Sequence, residues 1–559
     1  MASDLEIAQA AEIKPIAEIA QALGLADDDV DLYRKFKAKI SPNVLNKFAD
    51  KPNGKYVVVT SITPTPLGEG KTTTSVGLSM ALNRLGHRTT VCLRQPSLGP
   101  VFGLKGGATG GGRSQVLPME DINLHLTGDT HAVTAAHNLL ASFIDNSLFN
   151  DNPLGIDPYS ITWPRVVDLN DRALRQVMVG LGGRDGGIPR VSSFEIAVTS
   201  EVMAILALAT SLRDLRQRLG RIVIGMSRQN KPITAEELQC AGAMAVLLKE
   251  ALKPNLLQTL EHTPAFIHTG AFANVGHGTN SILADAIALK LSDYVVTEAG
   301  FGSDLGMEKF FDIKCHYSGL TPNAVVIVAT VRALKLHGGA GKPVAAEPIH
   351  ENLAAVEKGC ANLVKHIENA KLFGLPVVVA INRYQSDTDR EIAIIERITR
   401  DLGAEGAFTS DVWARGGAGA ISLAEAVVHA CHQPSKFKPL YANELPIKDK
   451  IERIADKIYG ADGVEYYPEA EEKIKLYTDL GFANLPICMA KTPFSLSHDE
   501  KLKGRPRKFK VPIRDLRASI GAGFLTALCG DLRTMPALPR VPAATRIDLD
   551  ENGRIIGLV

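Results

Sequence analysis

An apolar run, a glycine-rich turn holding Gly-Lys-Thr, and an apolar-periodic stretch follow one another in residues 56–86, YVVVTSITPTPLGEGKTTTSVGLSMALNRLG. That order constrains the fold more than any other feature of the chain. Tyr56-Val57-Val58-Val59 is short and β-branched, as a buried strand requires. Val76, Met80, Leu82 and Leu85 recur at roughly helical spacing until Gly86 stops the helix. Between them stand Thr65, Pro66, Leu67, Gly68, Glu69, Gly70, Lys71 and Thr72. The Walker A pattern asks for Gly, four residues, then Gly-Lys-Ser/Thr, and only the first position departs, with Thr65 in place of glycine. In such a loop backbone N–H groups and the following helix N-terminus cradle phosphate oxygens. All eight residues are therefore expected to bind ATP, with Lys71 on the terminal phosphates and the Thr72 hydroxyl on Mg²⁺. A glycine-rich turn before an ordinary helix is the alternative, and the order of elements favours the nucleotide.

A second strand candidate, Thr89-Thr90-Val91-Cys92-Leu93, follows and ends in Arg94. Strand, helix and strand make a βαβ unit that crosses right-handed into a parallel sheet. Ligands gather beyond the carboxyl ends of such strands, so Arg94 falls on the same edge as Lys71 and is expected to be catalytic with it. The expected fold is α/β: a large P-loop NTPase-like, doubly wound, mostly parallel sheet domain with two smaller α/β domains. The nucleotide-binding domain, with an N-terminal helical extension over residues 1–50, spans 1–360. A second α/β domain contributing to a substrate site spans 361–460, and a small C-terminal one spans 461–559.

Bulk properties exclude several classes. The 559 residues exceed what one core supports, and 45% hydrophobic with 22% charged residues is ordinary globular composition. A net charge of +1 supplies no global field for nucleic acid or an anionic membrane. The N-terminus lacks a basic n-region with an apolar h-region, and the apolar runs are too short to span a bilayer. Seven scattered cysteines form no CxxC pair, against both a zinc site and a disulfide framework. A reduced, cytoplasmic enzyme is expected.

Other stretches gather polar or flexible residues. Seven glycines within 99–113 are incompatible with a regular element and either offer N–H groups to an anion or form a mobile loop. His125, His131 and His137 are spaced by six, which puts no two imidazoles on one helical face. With Asp129 and Gln95, His125 and His131 are expected to line the cleft rather than hold a metal. Residues 165–171 end in Asp168 and Asp171, as a Mg²⁺-supporting strand or an ordinary capped turn would. Phe301, between two glycines, is expected at the sheet edge. Asn382-Arg383-Tyr384-Gln385 resembles the guanine-reading Asn-Lys-x-Asp of GTPases, but Gln385 lacks the carboxylate that reads the guanine amino group. Trp413 precedes a glycine-rich turn, well placed as a stacking plate. The basic run 501–510 reads as a solvated loop, with a polyanionic substrate tail as the sharper alternative.

Taken together, GEGKTTT, LRQPSLGPVFGLKGGATGGG, PMEDINLHLTGDTHAV, TEAGFGSDLGMEKFFDIKC, AINRY, VWARGGAGA and LKGRPRKF resemble the formate–tetrahydrofolate ligases, in family order from about residue 10 onward. The resemblance implies ATP- and Mg²⁺-dependent formylation of N10 of tetrahydrofolate through formyl phosphate. It further implies a homotetramer, and Phe301 and Trp413 as the two walls of the pterin pocket. The threonine at position 65 belongs to the family's form of the loop. Many members carry Glu where Gln95 stands and are activated by K⁺ or NH₄⁺, so little dependence on monovalent cations is expected here. Two other functions compete: a P-loop switch ATPase, and a P-loop ligase acting on another carboxylate.

Overall fold

The computed structural model describes residues 2–66, 68–103, 109–341, 350–530 and 533–558. Its centre is a sheet whose principal strands are β1 (Lys55–Ser61), β2 (Thr89–Leu93), β3 (Asn255–Thr259), β4 (Pro264–Ile267), β5 (Tyr294–Gly302), β6 (Ala324–Ala329), β7 (Val377–Asn382) and β8 (Ala407–Ser410). They run in the order β3-β4-β2-β5-β1-β6-β7-β8. Every pairing from β4 to β8 is parallel, and β3 and β4 form an antiparallel hairpin. The molecule is mixed α/β with a large, mostly parallel central sheet.

The strand sequences explain why this sheet is buried on both faces. Alternate residues of a strand point to opposite sides. Tyr56 and Val58 of β1 join Val295, Val325 and Ile327 in one core, with Ile287 of α2 (Ile282–Leu291) and Leu363 of α3 (Leu353–Leu372). Val57 and Val59 join Val296, Val326 and Val328 in another, with Val76 and Met80 of α1 (Lys71–Arg84) and Leu423 of α4 (Ile421–His432). A strand serving two cores must be apolar without alternation, as these valine-rich runs are. Each buried valine contributes on the order of 1.5–3 kcal/mol, so an acid at Val58 or Val326 would break the layer it faces.

Close approach fixes α1. A Cβ on Gly77 would lie 2.3 Å from Val412 Cγ1, and one on Gly417 would lie 2.9 Å from the Met80 backbone. The segment 412–420 therefore packs directly on α1.

The N-terminal 50 residues are not wholly helical. Asp4–Gln9 and Ile16–Ala22 are helices, but Val30–Leu32 and Ala38–Ile40 form an antiparallel pair that extends the sheet beyond β3. The helical reading fails because this pair is only three residues per strand, too short for alternation to show. Within the glycine-rich stretch, Leu98–Phe102 is a short helix, and Gly110–Gly111 pairs with Ser114–Leu117 as a hairpin that joins β3. The central sheet passes residue 360 without a break, because β6 pairs directly with β7. Toward the C-terminus, small sheets join Val464–Tyr466 with Val511–Ile513, and Phe524–Leu528 with Ile487–Ala490 and Asp515–Ser519. Among the described residues no helix is long and apolar enough to cross a membrane, and all seven cysteines are free and buried.

Candidate active site

The loop between β1 and α1 is shaped by two glycines in the left-handed region. Gly68 and Gly70 take φ of +73° and +75°, which glycine adopts without penalty. A Cβ on Gly70 would also meet the Asn382 amide nitrogen at 2.3 Å, so glycine is required there twice over. Helix α1 opens at Lys71, and its first-turn N–H groups face the loop. Lys71 Nζ reaches Ser61 Oγ, 3.4 Å away at the end of β1.

Strand β5, next to β1, brings the residue that ties the edge together. Glu298 accepts the Thr72 hydroxyl at 2.8 Å and lies 3.8 Å from Arg94 Nε, with its side chain only 3% exposed. Arg94, leaving the end of β2, also donates to the Ala271 carbonyl at 3.4 Å. Lys71, Thr72, Arg94 and Glu298 thus converge on the carboxyl edge of three adjacent parallel strands. The first three were legible from sequence; Glu298 as a site residue was not. It opens the glycine-rich turn after an apolar strand, but only the adjacency of β5 to β1 places it against Thr72.

Not every loop residue faces the cradle. Glu69 is buried and turns back, accepting the Thr65 amide at 2.8 Å and the Thr65 hydroxyl at 2.9 Å, and it takes the Thr330 hydroxyl on its other oxygen. Its carboxylate holds the loop closed, which leaves only the backbone of Glu69 to face the space above the loop. This pairing also explains Thr65: a glycine would lose one of the hydrogen bonds that satisfy a buried carboxylate. Leu67 lies outside the described residues.

Phe301 follows Glu298 by three residues, where β5 breaks register against β1. It holds φ of +58°, an uncommon conformation for an aromatic residue, and its carbonyl accepts from Ser61 Oγ at 3.0 Å. It is half-buried at the same edge as Lys71. Trp413 is 42% exposed and lies on the backbone of Gly111 and Gly112, where a Cβ on Gly112 would come 2.8 Å from its ring. Among the described residues, no ring contact joins Trp413 to Phe301.

The sequence matches the family described as formate--tetrahydrofolate ligase over residues 2–559. The chain belongs to the formate–tetrahydrofolate ligase family. A protein of that name from Desulforamulus reducens is 60% identical over 561 residues, covering 100% of this chain and 99% of its own. Proteins of the same name from Roseiflexus sp. (strain RS-1) and Roseiflexus castenholzii are 58% and 57% identical over 563 residues, with full coverage of both chains. The protein is a ligase.

In this ligase the remaining sequence-selected residues divide. Gln95 stays near the edge: its backbone N–H donates to Thr269 O at 2.6 Å, and its amide nitrogen lies 3.4 Å from Thr130 Oγ1. Its amide oxygen is buried with no hydrogen-bond partner among the described residues. Asp129 is buried, forming an ion pair with Lys39 at 2.8 Å and accepting from Asn255 at 2.8 Å. His125 and His131 are exposed, and His125 lines a separate cavity of about 670 Å³ with Tyr33, Arg34, Lys37 and Glu120. Polar spacing alone does not distinguish a cleft wall from a helix start, and Asp129 is the first residue of the helix Asp129–Phe149. Asp168 takes the capping role: it accepts Ser97 Oγ at 2.6 Å and Leu98 N at 3.1 Å, and burial pushes its carboxyl up. In the basic run, Arg505 is committed to Glu368 through two hydrogen bonds of 2.9 and 2.6 Å.

Proposed function

We propose that this ligase joins formate to N10 of tetrahydrofolate at the expense of ATP, giving 10-formyltetrahydrofolate, ADP and phosphate through formyl phosphate. The observation that carries this reading is the convergence of Lys71, Thr72, Arg94 and Glu298 on one sheet edge, with Phe301 three residues past Glu298. The central sheet is then a P-loop NTPase-like, doubly wound one. A formate oxygen attacks the γ-phosphorus, the bond to the β–γ bridging oxygen breaks, and ADP leaves. Lys71 and Arg94 disperse the charge on the transferring group, so the protein contributes mainly position and electrostatics. N10 then attacks the formyl carbon, the bond to phosphate oxygen breaks, and N10 gives up its proton. Phe301 and Trp413 hold the pterin face while this happens.

Mg²⁺ fits the donors present. It takes one or two carboxylates with waters and substrate phosphates, and Thr72 and Glu298 offer a hydroxyl and a carboxylate at one point. No three-residue cluster of His, Cys, Asp or Glu able to hold a metal occurs among the described residues, nor does such a substrate-borne ion need one. When bound, the ion supplies neutralisation of the β- and γ-phosphate oxygens. On the family's pattern the enzyme works in the cytoplasm as a homotetramer. The test is ADP release with formate and tetrahydrofolate omitted in turn. Release that requires formate is expected; equal release without either substrate would favour the switch ATPase.

A further inference from the structure

Helix α3 carries a polar stripe that the proposed chemistry does not use. Asn362, His366 and Asn369 recur at helical spacing, and all three are buried. Buried amides and imidazoles are kept where they find partners, and these find them beyond the carboxyl ends of β1 and β5. Thr63, two residues past β1, is held at every polar atom. Its N–H donates to Asn362 Oδ1 at 3.2 Å, its carbonyl accepts from His337 Nε2 at 2.8 Å, and its hydroxyl accepts from Asn362 Nδ2 at 2.9 Å. His337 and Asn362 also take the N–H and carbonyl of Gly504, at 3.2 and 2.7 Å, so the frame around Thr63 is anchored in the C-terminal segment. The Thr63 hydroxyl lies 3.0 Å from His366 Nε2. On the far side of the ring, His366 Nδ1 lies 2.7 Å from Ser303 Oγ, two residues past Phe301. A Cβ on Gly302 would come 3.1 Å from His366 Cε1, so the ring is wedged between the two strand ends. Since the Thr63 hydroxyl already accepts from Asn362, its proton goes to His366 Nε2, which leaves the ring proton on Nδ1 to donate to Ser303. Burial pushes the His366 imidazole down to about 3, so the ring is neutral and keeps this polarity.

We propose that His366 is a positioning residue that holds the two halves of the active site in register, fixing the loop 65–72 through Thr63 and Phe301 through Ser303. The proposal rests on the reading of those two segments as the ATP and pterin sites, and it adds the side chain that joins them. His366 is fully buried and acts through its two partners rather than on a substrate. Each strand end hangs on a different ring nitrogen, Thr63 on Nε2 and Ser303 on Nδ1. The two links can therefore be cut separately. The amide of a glutamine falls near the place of Nε2, and that of an asparagine near the place of Nδ1. A buried hydrogen-bonding group left without its partner is costly, so the strand end that loses its link relaxes from the position the intact site requires.

Steady-state kinetics of the full chain, with Mg-ATP and tetrahydrofolate varied separately, test this. His366→Gln keeps the Thr63 link and loses Ser303, so KM for tetrahydrofolate should rise about tenfold while KM for Mg-ATP stays within about twofold. His366→Asn keeps Ser303 and loses Thr63, and the pattern should reverse. A residue that served stability alone would lower the melting temperature in both variants and leave both KM values of the folded enzyme unchanged. That outcome, or an equal rise in both KM values, would overturn the proposal. Should either ring variant fail to fold, the same split is read from the partners. Ser303→Ala should follow the glutamine pattern and Thr63→Val the asparagine pattern, while Thr63→Ser, which keeps the hydroxyl, should restore KM for Mg-ATP. Partner variants that shift both KM values alike, or neither, count against the coupling. Lys71→Ala and Phe301→Ala, measured beside them, separate the two layers. If Lys71→Ala abolishes turnover and Phe301→Ala raises KM for tetrahydrofolate alone while the His366 variants show no split, the coupling alone falls. If either control is silent, the reading of that half of the site falls and the coupling with it.

Discussion

Replacing Glu298 with glutamine probes the site at the one residue that joins its parts. The amide keeps the shape and still offers an oxygen to the Thr72 hydroxyl, now 2.8 Å from the carboxylate, but removes the charge. A hydrogen bond to a charged acceptor is worth about 1.5–3 kcal/mol, against about 1 for a neutral one. The Arg94 guanidinium lies 3.8 Å away, and at an effective dielectric constant of ~20 such a pair interacts by about 4 kcal/mol before desolvation is subtracted. Half of that sum, about 3 kcal/mol, is a fair expectation, equivalent to roughly a 150-fold fall in kcat/KM for Mg-ATP. The assay is coupled ADP release at saturating formate and tetrahydrofolate, repeated across a Mg²⁺ titration. The Mg²⁺ requirement should move to higher concentration in Glu298→Gln, because Thr72 alone then faces the ion. A variant within about twofold of wild type, with an unchanged Mg²⁺ curve, would mean that Glu298 merely neutralises Arg94 in the resting protein.

Lys71→Ala should abolish product formation with the melting temperature nearly unchanged, since Lys71 opens a helix at the sheet edge, whereas Arg94→Ala should lose formyl transfer but keep most nucleotide affinity; reversal of that pattern in paired binding and turnover assays would exchange their roles. Phe301→Ala and Trp413→Ala should each weaken tetrahydrofolate binding by about 1 kcal/mol or more beyond the area lost, with ATP affinity unchanged; equal effects on both substrates would make the rings structural. Formate KM should change little when K⁺ is exchanged for a bulky organic cation at constant ionic strength, because Gln95 offers a dipole where a carboxylate would attract a cation outright; a large rise in KM without K⁺ refutes this. Acid should destabilise the fold: burial holds His137, His277 and His366 down to about 3 and His268 to about 4, against an ordinary value of 6.5. Each is neutral when folded and protonates first in the unfolded chain, so stability is full above pH 6.5 and falls below it by about 1.4 kcal/mol per pH unit per histidine, until the folded values are reached. Urea midpoints that stay flat between pH 7 and 5 would contradict that sign.

Legibility of the site followed how local each interaction is. The placement of Lys71, Thr72 and Arg94 at one sheet edge was readable because strand, turn and helix are contiguous within one βαβ unit. The apolar, unalternating strands announced a sheet covered on both faces. The contacts of Glu298, Arg332 and Asn382 with residues 68–72 were not legible from sequence, because they depend on β5 and β6 lying either side of β1 and on β7 lying one strand further out. That is an order of strands, which no single stretch encodes. The ion pair of Asp129 was illegible for the converse reason. Its partner Lys39 is 90 residues earlier, in a strand of three residues joined to the sheet edge, and a long-range ion pair leaves no local pattern.

The adjacency of β1 and β5 also answers a chemical requirement of the proposed reaction. An acyl phosphate is prone to hydrolysis, so the group that makes it and the group that takes it must lie within one enclosed step of each other. Ser61 sits at that junction. Its hydroxyl receives Lys71 Nζ at 3.4 Å from the phosphate side and donates to the Phe301 carbonyl at 3.0 Å on the ring side. Phe301 can be reached by that hydroxyl because its backbone turns into the left-handed region where β5 breaks register. The strain at Phe301 therefore has a geometric use: it brings Phe301, the proposed pterin wall, onto the same serine that contacts Lys71. A regular strand through position 301 would continue the ladder past Ser61 and separate the two. On the proposed mechanism, the register break between Glu298 and Gly302 would let one sheet edge both activate formate and deliver it.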